Sequence, residues 1–149
     1  MRLDGYLGAA LVAAAAVLAG CGDSCKNETP VLAESGVPSC GALEASAAIR
    51  VDLHVCPSCS NTPACSVDTS QLGTSGIVFV EPQAEVCQDS CPAENPSGCP
   101  FQPVSCTFNA PATPASEGYF IYVADPTATD GHQVIPFNVG GTATSCTFG

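Results

Sequence analysis

The chain has 149 residues, with 3 Lys or Arg against 14 Asp or Glu, for a formal net charge of −11. So few cations cannot replace the counterions of a phosphate backbone, which argues against nucleic acid as a partner, and they cannot form a basic patch on anionic lipid. The 11 cysteines are odd in number, so at least one of them cannot pair within the chain.

The first twenty residues have the pattern of an export signal. Arg2 supplies a positive start, and residues 7–19 are apolar throughout. That run is shorter than the ~20 residues that span a bilayer. A short membrane or core helix is the alternative, but the small residues directly before Cys21 favour cleavage. The sequence therefore predicts a signal peptide over residues 1–20.

The residues that end this segment resemble a known motif. Leu18-Ala19-Gly20-Cys21 is similar to the lipobox of bacterial lipoproteins. The resemblance implies that the sulfur of Cys21 receives a diacylglycerol, that the signal is cut before Cys21, and that a fatty acid such as palmitate is often added to the new amino group. Several chains on one residue satisfy the two-signal requirement for stable anchoring. The membrane is thus an expected partner, through the lipid on Cys21.

The residue after Cys21 bears on which membrane is reached. In the sorting rule of enteric lipoproteins, Asp at this place retains the protein at the inner membrane. Gly22 occupies it here, and Asp23 follows, which resembles an outer-membrane address. We therefore expect a lipid-anchored envelope protein in the outer membrane, at its periplasmic face or at the cell surface.

The remaining cysteines are even in number. They are Cys25, Cys40, Cys56, Cys59, Cys65, Cys87, Cys91, Cys99, Cys106 and Cys146. In an exported chain, ten such residues predict five disulfides. Cys106 and Cys146 lie in two identical Ser-Cys-Thr-Phe segments, and we expect them to bridge two strands. The alternative pairs Cys106 with Cys99 or Cys91 and leaves Cys146 to a distant partner such as Cys40.

The hydrophobic pattern is that of β-strands. In residues 43–55 the odd positions are apolar and the even positions are mostly polar, with a possible break near Ala47. Residues 76–80 and 118–123 are short apolar runs, which predict strands buried on both faces. Residues 104–109, 133–139 and 142–148 are further candidates, and Pro136 predicts an edge or a bulge.

Together these segments predict an all-β, disulfide-rich β-sandwich, immunoglobulin-like or related. The expected organisation is a signal peptide (1–20), a short lipid-anchored tether (21–30) and a single β domain (31–149). Residues 87–106 hold four cysteines and four prolines, which indicates a disulfide-stapled excursion within that domain.

The spacing Cys56-Pro57-Ser58-Cys59 is that of a thiol–disulfide exchange centre. Such a centre needs a helix after the first cysteine, whereas Pro63 follows closely. A zinc site formed by His54, Cys56, Cys59 and Cys65 is a second interpretation. The even cysteine count in an oxidising compartment favours structural bridges over both.

Residues 125–132 carry Asp125, Asp130 and His132, which could bind calcium. The spacing is not that of a regular calcium loop, and Asp-Pro and Asp-Gly form turns by themselves. A plain hairpin loop is therefore favoured.

No hydrolase motif is present, since Gly73-Thr74-Ser75-Gly76 departs from the G-x-S-x-G elbow. We expect a structural or binding role toward an unknown envelope protein or surface ligand. No catalytic residue, cofactor or metal is assigned. The rival hypotheses are a thiol–disulfide redox protein using Cys56 and Cys59, and a calcium-dependent binding module.

Overall fold

A computed structural model describes residues 25–33, 39–56, 63–87, 101–115 and 117–148. In these ranges the chain is mostly strand, with one single-turn helix, α1 (Leu72–Ser75). The strands are β1 (Cys25–Glu28), β2 (Val31–Leu32), β3 (Ser39–Cys40), β4 (Ala42–Leu43), β5 (Ala48–Cys56), β6 (Ala64–Asp68), β7 (Ile77–Cys87), β8 (Gln102–Asn109), β9 (Tyr119–Ala124), β10 (His132–Val139) and β11 (Ser145–Phe148). They form two packed sheets, so the predicted all-β sandwich is confirmed.

The first sheet has the strand order β1-β7-β9-β10-β4, and β6 also pairs with β7. The long strand β7 runs parallel to β9 and antiparallel to β6 and β1. Strand β9 in turn forms an antiparallel hairpin with β10. This mixed sheet places the start of β7 and the start of β9 side by side at one end of the sandwich.

The second sheet has the order β2-β5-β11-β3, and β8 pairs with β5 along its full length. Its central strand β5 shows the predicted alternation, with Ile49, Val51, Leu53 and Val55 buried and the positions between them exposed or half-buried. The predicted break also occurs, because the chain turns between β4 and β5 at Ser46, where φ is 58°.

The core lies between the two sheets. Its members come from the inward positions of both, and the largest fully buried side chains include Leu43, Leu53 and Ile121. Phe108 of β8 packs on Phe137 of β10 with ring centroids 5.9 Å apart, which joins the sheets directly. Burial of this kind stabilises by about 25 cal/mol per Å² of apolar surface.

The prediction that β7 and β9 are buried on both faces is wrong. Val78, Val80 and Ile121 point inward and are fully buried, but the intervening Phe79 and Tyr122 are only half-buried. In a two-layer sandwich each sheet has one inward face, and the described residues form no third layer over the outward face here, where Phe79 and Tyr122 pack on each other and on the ring of His132. Apolar residues on both faces of a strand therefore do not guarantee a cover on both sides.

Pro136 lies within β10 and is exposed. Strand β10 pairs with β9 throughout but with β4 only at Asn138 and Val139. At Pro136, one side of β10 therefore has no partner among the described strands. The predicted edge position is confirmed, because a residue without an N–H is tolerated where no ladder partner needs it.

The predicted Cys106–Cys146 bridge is wrong. Cys106 of β8 and Cys146 of β11 both lie in register with Val51, on opposite sides of β5. Two strand spacings, about 9.5 Å, separate them, which exceeds the roughly 4.4–6.8 Å between Cα atoms in a disulfide. Cys146 instead bonds Cys40 of the adjacent β3, with Cα atoms 4.4 Å apart.

Cys106 bonds Cys65 of β6, with Cα atoms 5.6 Å apart. Since β6 belongs to the first sheet and β8 to the second, this disulfide ties the two layers together. The alternative partners that the sequence suggests for Cys106 are local, at Cys99 and Cys91. The observed partner was missed because the contact closes a separation of 41 residues through tertiary packing alone.

Part of the segment assigned as a tether is strand. Residues 25–28 form β1 and pair with residues 84–87 of β7. Residues 1–24, which include the predicted signal and Cys21, lie outside the described ranges, as do residues 88–100 of the predicted stapled excursion. Within the described ranges, no helix is long and apolar enough to cross a membrane.

Candidate functional site

A groove of about 840 Å³ lies at one end of the sandwich, within the roughly 300–1,000 Å³ typical of ligand sites. One wall is formed by Val67 and Thr69, at and beyond the end of β6, and by residues 72–76 of α1 and its C-terminus. The other wall is formed by residues 107–111 at the end of β8 and by the connection into β9. The groove thus lies where an edge strand of each sheet ends.

Short contacts hold these walls in place. Helix α1 ends at Gly76, whose φ of 71° is left-handed, a conformation that favours glycine. A Cβ atom at Gly76 would also lie 3.1 Å from the carbonyl oxygen of Gly118. The N–H of Phe120 donates to the carbonyl oxygen of Gly76 at 2.9 Å. The hydroxyl of Tyr119 donates to the carbonyl oxygen of Thr113 at 2.7 Å, which pins the β8–β9 connection.

The groove is polar but carries little charge. Among its described lining residues, hydroxyls, the amide of Asn109 and backbone groups supply the polarity, and Glu117 supplies the only charged side chain. Arg50 lies elsewhere, on β5, and its Nε is 2.9 Å from a carboxylate oxygen of Asp52. An anionic ligand would therefore find no cation in the groove, whereas a neutral or basic one meets no charge of its own sign.

Asp68, at the end of β6, adjoins the groove wall. The N–H of Ser70 donates to its carboxylate at 2.8 Å, and this hydrogen bond, with a further one from the Ser70 side chain, holds the pKa of Asp68 below its ordinary value of 3.8. Hydrogen bonds to the charged form of a carboxylate favour that form. The turn that leads from β6 toward α1 is thus closed by an ionised group.

A second surface feature is a cluster of rings on the outward face of the first sheet. The ring of Phe79 lies 5.5 Å from that of Tyr122, and His132 packs edge-on against both at 6.1 and 6.0 Å. Val134, in register with Tyr122, is 45% exposed. This outer-face cluster is an apolar surface. It was not expected, because β7 and β9 were predicted to be buried on both faces.

The structure separates the predicted cysteines into three groups. Cys40, Cys56, Cys65, Cys106 and Cys146 are disulfide-bonded. Cys25 and Cys87 are register partners in the β1–β7 ladder. Cys21, Cys59, Cys91 and Cys99 lie outside the described residues, so the predicted total of five bridges stays a prediction.

The described members of the proposed zinc site do not converge, whereas the redox hypothesis stays a prediction because Cys59 lies outside the described residues. His54 is exposed, whereas its neighbour Cys56 is 1% exposed and already in a disulfide. Cys65 is bonded to Cys106 and so has no thiolate for a metal. Across the described part of the chain, no three His, Cys, Asp or Glu side chains are grouped as a metal site would require.

The candidate calcium loop, residues 125–132, connects β9 to β10. Asp125 is 1% exposed, and one carboxylate oxygen accepts hydrogen bonds from the N–H and hydroxyl of Thr127 at 2.9 and 2.7 Å. The other oxygen accepts from the side-chain amide of Gln133 at 2.7 Å. His132 lies apart, in the outer-face cluster. The arrangement is that of the plain hairpin loop, closed by a buried carboxylate.

The sequence does not predict the groove. Residues 73–76 depart from a hydrolase motif, and residues 105–108 are predicted as a strand segment whose cysteine forms a bridge. Clusters of Gly, Ser, Thr and Pro around residues 69–76 and 111–118 mark both segments as loops. No local pattern shows that the two loops meet.

The position of the groove relative to β7 has a geometric consequence. Ile77 begins β7 beside the groove, and Cys87 ends it in register with Cys25. Eleven residues of strand at about 3.3 Å each place these ends about 30 Å apart. The groove and the start of β1 are thus at opposite ends of the sandwich.

The chain matches no protein-family model, no curated protein and no solved structure.

Proposed function

We propose that this chain is a lipid-anchored protein of a bacterial cell envelope with a binding role, and that it binds its ligand in the groove. The anchor rests on Leu18-Ala19-Gly20-Cys21, through which the lipid on Cys21 holds the protein in the membrane. Gly22 directs it to the outer membrane, at the periplasmic face or the cell surface. The mature β-sandwich carries the binding role.

The observation that carries the binding role is the location of the groove about 30 Å from the start of β1. Three residues separate Cys21 from Cys25, and an extended chain spans at most ~3.6 Å per residue. A lipid on Cys21 therefore holds the start of β1 within about 15 Å of the membrane surface. The groove then faces away from the membrane, toward a ligand that is free or carried by another envelope component.

The charge of the protein limits the chemical classes of ligand that can bind in the groove. The net charge of −11 repels anionic molecules at a distance, and the described groove lining holds no Lys or Arg. The ligand is accordingly neutral or basic.

The anchor is tested in cells by replacing Cys21. Cys21→Ser leaves uncleaved precursor and abolishes labelling by a fatty-acid analogue. Gly22→Asp serves as the matched control, because it keeps the lipid while shifting the protein to the inner-membrane fraction. Normal processing and labelling of Cys21→Ser would overturn the anchor.

The binding role is tested with a photo-crosslinking amino acid placed at Thr74, an exposed residue of the groove wall. The control position is Gln83, which is exposed on β7 outside the groove. We expect one discrete adduct from Thr74 in intact cells and none from Gln83. Adducts from both positions, or from neither, would refute the groove as the binding site.

A further inference from the structure

We propose that the groove takes an extended peptide, which adds as a strand to the free edge of β8. This inference rests on the proposed function, in that the groove is the binding site, and names the class of ligand. Its basis is the direction of the backbone N–H and C=O groups along β8.

The hydrogen bonds of β5 establish which backbone groups of β8 are free. The N–H of Arg50 donates to Thr144, and the carbonyl oxygen of His54 accepts from Ala33. The even residues of β5 therefore point away from β8, and the odd residues point toward it. Since Ile49 lies in register with Phe108, Phe108 uses its own backbone groups in this ladder.

Alternate residues of a strand direct their N–H and C=O groups to opposite sides. The N–H of Ala110 donates to Ala47 at 2.9 Å, which agrees with the pattern. Thr107 and Asn109 consequently direct their backbone groups away from β5, toward the groove they line. No other described strand pairs with β8. An unpaired edge of this kind is a template for an added strand.

The disulfide between Cys65 and Cys106 limits the length of this edge. It holds β6 beside β8, with Cα atoms 5.6 Å apart, so a guest strand cannot continue past Cys106. Beyond the disulfide the groove separates Val67 and Thr69 from residues 107–111. The open edge therefore accepts about four residues of a guest in regular pairing, at ~3.3 Å per residue.

The walls of the groove specify alternating side chains in the guest. Positions on the side of Phe108 meet Val67 and Leu72, both of which pack partly buried against the core. Positions on the side of Thr107 point to solvent, as Thr107 itself does. The expected peptide therefore alternates apolar and polar residues and carries no net negative charge.

Two other occupants fit less well. Glycan binding usually relies on an exposed aromatic plane for stacking, but Tyr119 is 7% exposed and its ring is stacked on that of Phe137. A second copy of this chain would bring another net charge of −11 against the first. A peptide, by contrast, can form hydrogen bonds with the backbone N–H and C=O groups of Thr107 and Asn109.

The probe is a phage-displayed library of random twelve-residue peptides, selected on the oxidised mature chain. Each enriched peptide is then synthesised as a series, in which every member carries a single N-methyl group at a different residue. An added strand pairs every second N–H with the edge. We therefore expect affinity to fall by about tenfold or more at alternate positions and to change little at the positions between them.

Variants at Thr107 separate the backbone from the side chain. Thr107→Pro removes the free N–H without touching the β5 ladder, and proline is tolerated at such an edge. Thr107→Val keeps the N–H and changes the side chain. The first variant should lose binding about tenfold or more, and the second should retain it. Both should keep the wild-type melting temperature and the Cys65–Cys106 disulfide.

The outcomes distinguish the inference from the proposed function. Suppose that the enriched peptides bind wild type but not a Thr74→Trp variant, in which the new side chain fills the groove, and that N-methylation has no alternating effect on their affinity. That result would overturn strand addition but would still support the groove as the binding site. Enriched peptides that bind Thr74→Trp as well as wild type would overturn the groove itself. Failure to enrich any peptide would overturn the peptide as ligand, while the crosslink from Thr74 would still report the binding role.

Discussion

Asp125 makes the β9–β10 connection a sensitive point of the fold. Its carboxylate is 1% exposed and accepts three hydrogen bonds, two from Thr127 and one from Gln133. Asp125→Ala removes the acceptor and leaves these donors without a partner in a partly buried place. We expect the folded state to lose stability for two reasons, because the hydrogen bonds are lost and because the donors are left without an acceptor.

The magnitude follows from the hydrogen bonds. Each hydrogen bond to a charged group contributes about 1.5–3 kcal/mol. The three share one carboxylate, so their losses do not add in full, and we expect a loss of about 3 kcal/mol in the free energy of unfolding. For a domain of this size that corresponds to a fall of about 10 °C in melting temperature.

The assay is thermal and urea unfolding of the oxidised protein at neutral pH. The matched control is Asp130→Ala, which removes an exposed carboxylate from the same loop and should change the melting temperature little. Equal melting of the two variants would refute the reasoning.

About 1 mM calcium should not raise the melting temperature of the wild type, since the ion would have to displace donors already bound to Asp125. A rise of several degrees would instead support the calcium-dependent module.

Two further predictions concern the disulfides and Asp68. Non-reducing peptide mapping should recover Cys40 with Cys146 and Cys65 with Cys106, and full reduction should add about ten hydrogens to the intact mass; any other partner for these four would contradict the fold. The carboxyl of Asp68 should titrate below 3.8 in an NMR titration. Because its pKa is lowered on folding, its contribution is present above the unfolded pKa and is lost as the pH falls through the folded pKa. A midpoint at or above 3.8 would contradict this.

Local patterns in the sequence were sufficient for β5, for β8 to β11 and for the first part of β7, but not for β1, β2, β3 or β6. The alternation through residues 43–55 predicted β5 and the turn before it, because side chains of a strand point to opposite faces every second residue. Pro136 predicted an edge for the same local reason, since proline lacks the N–H that a ladder requires. The cysteine content predicted disulfides in an all-β fold, and of the observed partners only Cys40 for Cys146 was named, as the alternative pairing.

Tertiary structure decided everything that depends on which strands are neighbours. Cys106 and Cys146 have identical flanks, yet β5 lies between them, and each pairs with a cysteine that the tetrapeptide does not indicate. Phe79 and Tyr122 proved half-buried because the number of layers, and not the apolarity of a strand, determines which faces are covered. The groove joins segments about 40 residues apart in the chain, and β5 is the only described strand that pairs with β8. Strand pairing is a contact between distant residues, and a period of two along one strand contains no information about its neighbour.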